Sequence, residues 1–84
     1  METGVKRLQV WCADQPGIVN AVSGFLFDAG ANIVQSDQYS SDPEGGQFFL
    51  RMEFTLPAGG ETLAELSGRF DAEVAGRFQM GFRF

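Results

Sequence analysis

Apolar and polar residues alternate through Leu8, Val10 and Cys12, with Arg7, Gln9 and Trp11 between them. That period of two predicts a strand from about Val5 to Ala13 with one apolar face. Beyond Gly17 the period lengthens: Ile18, Val22, Phe25, Leu26 and Ala29 recur at spacings of three and four, one stripe of a helix for which Gly30 supplies a C′ stop. Ala31 to Ser40 is rich in β-compatible residues, though it alternates less cleanly. Turn chemistry follows at Asp42-Pro43-Glu44-Gly45-Gly46, and then comes a second strand from Gln47 to Leu56 with Phe48, Leu50, Met52, Phe54 and Leu56 on one face. Pro57 to Gly60 breaks the chain. Leu63, Leu66, Phe70 and Val74 then predict a second amphipathic helix, weakened by Gly68 and ending near Gly76. Last, Phe78, Met80, Phe82 and Phe84 alternate with Arg77, Gln79, Gly81 and Arg83, the pattern of a closing strand.

The predicted order is β-α-β-β-α-β, an α+β, ferredoxin-like arrangement in which two helices cover one face of a four-stranded antiparallel sheet. The other face stays bare. Parity places Trp11, Phe49, Arg51 and Glu53 there, an apolar and ionic surface expected to pair with another copy or another domain. The simpler alternative is scattered exposed rings on a solvated face, with Arg51 and Glu53 free to form cross-strand ion pairs.

Composition narrows the function. Eighty-four residues make one domain. A formal charge of −5 would repel a phosphate backbone, which argues against DNA or RNA as partner. Nine phenylalanines imply an aromatic core, rings at a partner surface, or both. With one cysteine and no histidine the chain has neither an internal disulfide nor the usual metal-ligand or acid-base set, so no metal or cofactor is expected and Cys12 reads as a buried apolar residue. No run near 18 apolar residues and no signal-peptide pattern after Lys6 and Arg7 are seen, which leads to the expectation of a cytoplasmic protein without a membrane partner.

The junction Cys12-Ala13-Asp14-Gln15-Pro16-Gly17-Ile18 carries the binding chemistry. A strand runs into a helix there through a bend that Pro16 and Gly17 make easy. The first N–H groups of a helix lack partners and carry partial positive charge, so those of Gly17 and Ile18 suit a ligand's carboxylate. Asp14 reads as a cap on the following helix, with direct contact to a ligand's ammonium as the other possibility. A metal-carrier reading would need a second sulfur in this loop, and none is there. An RNA-binding reading would need basic residues around the exposed rings, and the acidic balance argues against it.

Asp14-Gln15-Pro16-Gly17-Ile18-Val19 followed by Asp28-Ala29-Gly30-Ala31-Asn32-Ile33 resembles the ACT domain, a small amino-acid-sensing module appended to many metabolic enzymes. Val22-Ser23-Gly24-Phe25-Leu26, Ser36-Asp37-Gln38 and Gly46-Gln47-Phe48-Phe49-Leu50-Arg51-Met52-Glu53-Phe54 extend the likeness to the N-terminal region of the formyltetrahydrofolate deformylase family. That resemblance implies an enzyme hydrolysing 10-formyltetrahydrofolate to formate and tetrahydrofolate, in support of one-carbon and purine metabolism. It also implies a larger C-terminal portion with an Asn, His and Asp catalytic set. None of that set is in this sequence, so residues 1–84 read as a regulatory domain without its own catalysis, cut at a domain boundary. The resemblance puts Asn32, with Ile33, at the ligand pocket across a subunit boundary, facing Asp14, Gln15, Pro16, Gly17 and Ile18 of another copy. It suggests glycine or methionine as the effector, and self-association and the enzyme's catalytic domain as protein partners. A purely structural dimerisation role, or the ACT domain of a different parent such as a phosphoserine phosphatase or a transcriptional regulator, are the alternatives.

Overall fold

In the computed structural model, which describes residues 4–41 and 45–84, the strands are β1 (Lys6–Ala13), β2 (Asn32–Ser40), β3 (Gln47–Thr55) and β4 (Gly81–Arg83). The helices are α1 (Ile18–Asp28) and α2 (Leu63–Phe70). All neighbouring strands are antiparallel, in the order β2-β3-β1-β4. The split βαββαβ order and the ferredoxin-like sheet therefore stand as predicted. Of the turn expected at Asp42 to Gly46, residues 42–44 lie outside the described residues.

Alternation decides which side of the sheet becomes core. Leu8, Val10 and Cys12 of β1 and Phe48, Leu50, Met52 and Phe54 of β3 are buried, against Ile18, Val22, Phe25 and Leu26 of α1 and Leu66 and Phe70 of α2. Helix α1 ends as its sequence requires. Gly30 takes φ +83°, Ala31 N–H donates to Leu26 O and Gly30 N–H to Phe27 O, each at 3.0 Å, the paired bonds of a Schellman stop. Helix α2 begins with a capping box, in which Glu65 N–H donates to Thr62 Oγ1 at 3.1 Å and Thr62 N–H donates to Glu65 Oε1 at 3.0 Å. Arg69 then grips Glu61 through two 2.8 Å bonds, lies 4.9 Å from the centre of the Phe25 ring, and holds the Glu61 carboxyl below its usual range.

The structure corrects two boundaries. The second helix does not stop at Gly76. It continues through a π segment, Asp71–Ala75, and a last turn, Gly76–Phe78. The wider π turn lets both Val74 and Ala75 face the core. The stop falls on Gln79, which adopts the left-handed conformation at φ +52° while Met80 N–H donates to Ala75 O at 3.1 Å. Burial of Met80 beside Ala75 offsets the cost of a non-glycine residue there. Phe78 accordingly belongs to the helix, and β4 starts only at Gly81. In β2 the unclean alternation has a physical cause: this strand is a sheet edge with a bulge between Ile33 and Gln35, and Val34 through Ser40 are exposed on both faces.

Candidate effector-binding site

Gly17 is the residue from which α1 starts. Its φ of +90° is the left-handed region that favours glycine, and a Cβ built on it would meet nothing within 4 Å. Backbone conformation, not crowding, therefore makes this position a glycine. No side chain caps the helix, so the N–H groups at its first turn face outward from an open bend. Ile18 contributes only backbone to that bend, because its side chain is buried.

Asp14 does not cap α1. It lies three residues before Gly17, whereas a capping oxygen must stand at the position where the helix begins to reach its first N–H groups. Its Oδ2 instead accepts the hydroxyl of Ser40 at 2.8 Å, and its N–H donates to Gly46 O at 2.9 Å, which ties the loop to the far end of the β2-β3 hairpin. Gln15 reaches the other way: its Nε2 donates to Ala13 O at 3.0 Å and to Phe78 O at 3.3 Å. Residues 13–15 and 76–79 consequently face each other across a cleft of about 390 Å³.

Asn32 and Ile33 are placed elsewhere. They pair with Thr55 and Phe54, at the opposite end of β2 from Ser40. Nine residues of strand, at about 3.3 Å each, separate the two ends. A single chain therefore does not bring Asn32 to the Asp14–Gly17 loop, and a site containing both requires two copies. Asn32 is exposed and Ile33 half-buried against the core.

Cys12 sits under the loop, 5% exposed. Burial raises its thiol pKa above the ordinary value, assisted by Asp14 and opposed by the Gln15 amide 4.0 Å away. We expect its modification by a disulfide reagent at pH 7 to be slower in the folded chain than in urea by about tenfold or more. Equal rates would show the thiol to be accessible.

On the bare sheet face, pairing register sets Gly81, Trp11, Phe49 and Tyr39 in one row across four strands. Trp11 is 42%, Phe49 44% and Tyr39 64% exposed, and the Tyr39 and Phe49 ring centres are 6.2 Å apart. A Cβ on Gly81 would overlap the indole of Trp11, so the missing side chain on β4 is the floor on which that ring lies. The next rows are ionic: Arg51 bridges Asp37 at 2.8 Å, Arg7 lies 3.5 Å from Glu53, and Arg83 donates to Gln9 at 3.1 Å. Asp37 and Glu53 each face an arginine across the strand. Tyr39, Asp37 and Arg83 were not legible as members of this face, because the bulge in β2 hides its parity and β4 is only three residues long.

Comparison with known proteins agrees with the fold. The ACT domain family model matches residues 6–69. A formyltetrahydrofolate deformylase from Bacillus subtilis is 57% identical over 74 residues, covering 88% of this chain and 24% of the relative. In solved structures, a formyltetrahydrofolate deformylase from Pseudomonas syringae pv. tomato superposes with a TM-score of 0.80 at 34% identity, over 99% of this chain and 26% of that one. Another from Pseudomonas putida superposes with a TM-score of 0.85 at 24% identity, over 95% and 28%, a likeness of fold. The chain spans about a quarter of the length of the curated relatives it matches.

Proposed function

Because this chain belongs to the ACT domain family, we propose that it is the regulatory module of a formyltetrahydrofolate deformylase, a domain that binds an amino acid and pairs with a second copy. Hydrolysis of 10-formyltetrahydrofolate then belongs to the rest of a longer cytoplasmic enzyme, whose formate serves one-carbon and purine metabolism. The identity to the deformylase from Bacillus subtilis over most of this chain supports that parent. The observation that carries the sensing role is the start of α1, where a left-handed Gly17 leaves the first N–H groups without a side-chain cap. Such a bend accepts a carboxylate through backbone donors and the positive end of the helix dipole.

An amino acid held between this loop and Asn32 of a second copy would favour the assembled pair through differential affinity, with coupling of about 1–3 kcal/mol. Titration calorimetry of this chain with glycine and methionine is the test. Binding is expected with the wild type and expected to vanish in Gly17→Val, whose branched side chain is strained at φ +90°, with circular dichroism confirming that the variant keeps its fold. Heat that persists unchanged in the variant overturns the loop assignment. The aromatic row on the bare sheet face favours a second reading, a scaffold that joins subunits and binds no small molecule. Self-association on a sizing column without any thermal shift from amino acids would select it.

A further inference from the structure

Resting on the pairing of copies proposed above, we infer that two copies stack through the bare sheet face about a two-fold axis parallel to the strands, which lays β4 of one copy over β2 of the other. Strand register sorts that face into rows, and the charges along them are not symmetric. The row beside the aromatic one reads Arg83, Gln9, Arg51, Asp37 from β4 to β2, positive at one edge and negative at the other. The row after it sets Arg7 on β1 against Glu53 on β3. A hollow of about 410 Å³ opens between the aromatic row and the first ionic one, room for side chains of a second copy.

Sheets packed face to face keep their strands roughly aligned, about 10 Å apart. A two-fold axis in the plane of contact can meet that condition along the strands or across them. The axis along the strands reverses strand order and keeps each row over itself. Arg83 then faces Asp37 of the partner copy, and Arg7 faces its Glu53. The aromatic row is self-complementary under the same operation: Tyr39, its most exposed ring, comes over β4 of the partner, where the Trp11 indole lies over Gly81. The axis across the strands does worse. It sets the ionic row over itself, with Arg83 facing Arg83, or lays it on the aromatic row, with Asp37 desolvated against the Tyr39 ring. Arg83 is the group that asks for a partner: it is exposed, donates to the neutral Gln9 side chain at 3.1 Å and, among the described residues, forms no ion pair. Because the chosen axis keeps each strand end over its own counterpart, the Asp14–Gly17 loop of one copy does not approach Asn32 of the other. This contact is therefore distinct from the one that completes the effector site, and the two can fail independently.

The test mixes two chains of opposite defect, Arg83→Glu and Asp37→Lys, both at exposed positions. In a pair of Arg83→Glu chains two carboxylates meet at each end of the row, and in a pair of Asp37→Lys chains two cations do. A mixed pair matches opposite charges at both ends. Sedimentation velocity at low ionic strength is expected to show each variant alone associating about tenfold or more weaker than the wild type, and the equimolar mixture recovering to within about threefold of it. Circular dichroism confirms that both variants keep the fold. A mixture that pairs no better than its components, or single variants that pair as well as the wild type, overturns this arrangement while the pairing of copies stands. A wild type that stays monomeric overturns the pairing as well, and calorimetric binding of an amino acid reports on the loop apart from either.

Discussion

Phe70→Ala is expected to remove about 3–5 kcal/mol of folding stability, the range for deleting a fully buried aromatic ring. The ring is 0% exposed. It meets Phe25 of α1 at 5.1 Å, Phe82 of β4 at 4.9 Å and Phe84 at 5.6 Å between ring centres, each edge to face. One side chain thus joins both helices to the shortest strand of the sheet, which is three residues long. The loss has two parts, the transfer free energy of the ring and the cavity left among partners that collapse only partly. Small domains are stable by about 5–15 kcal/mol in total, so the loss is a large fraction of what holds the fold. Urea unfolding followed by circular dichroism reads the effect, and Phe70→Leu is expected to retain roughly half of the lost stability. A loss below about 1 kcal/mol would mean that the aromatic cluster is not the keystone of the core.

Phe49→Asp is expected to weaken the proposed self-association strongly while leaving the monomer folded. The residue stands mid-row between Trp11 and Tyr39 and is 44% exposed, so little burial is lost within the chain itself. In a pair of copies meeting through this face, the new carboxylate would be desolvated without a partner. The face is suited to a second copy on charge grounds. It presents Arg7, Arg51 and Arg83 against Asp37 and Glu53, while the chain as a whole carries −5, so two copies repel least when they approach this way. Central aromatic anchors dominate such interfaces, and a weakening of about 100-fold or more, roughly 2.7 kcal/mol, is expected. Sedimentation velocity across a concentration series checks it. A wild type that stays monomeric at millimolar concentration, or a Phe49→Asp chain that pairs as well as the wild type, removes this face from the account.

What the linear pattern determined was set by local periods and by residues with few conformational choices. The two-residue rhythm of Leu8 to Cys12 and of Phe48 to Phe54 fixed the buried side of the central strands, because any slip would turn a full set of apolar side chains to water. Gly30 marked the end of α1, since its φ of +83° suits no other residue as well. The bend at Pro16 and Gly17 was legible for the same reason. Tertiary packing decided the rest. The second helix runs on past Gly76 because burial of Val74, Ala75 and Met80 outweighs a glycine stop and a strained Gln79. Asp14 turned from the helix to Ser40, a partner 26 residues away that no local motif announces. Tyr39 joined Trp11 and Phe49 only through strand pairing, and Gln15 came to reach Phe78 O only because the second helix ends beside the first loop. Short-range preference follows from the chain's own dihedral and period constraints, whereas contacts between distant segments depend on how whole elements bury their apolar faces together.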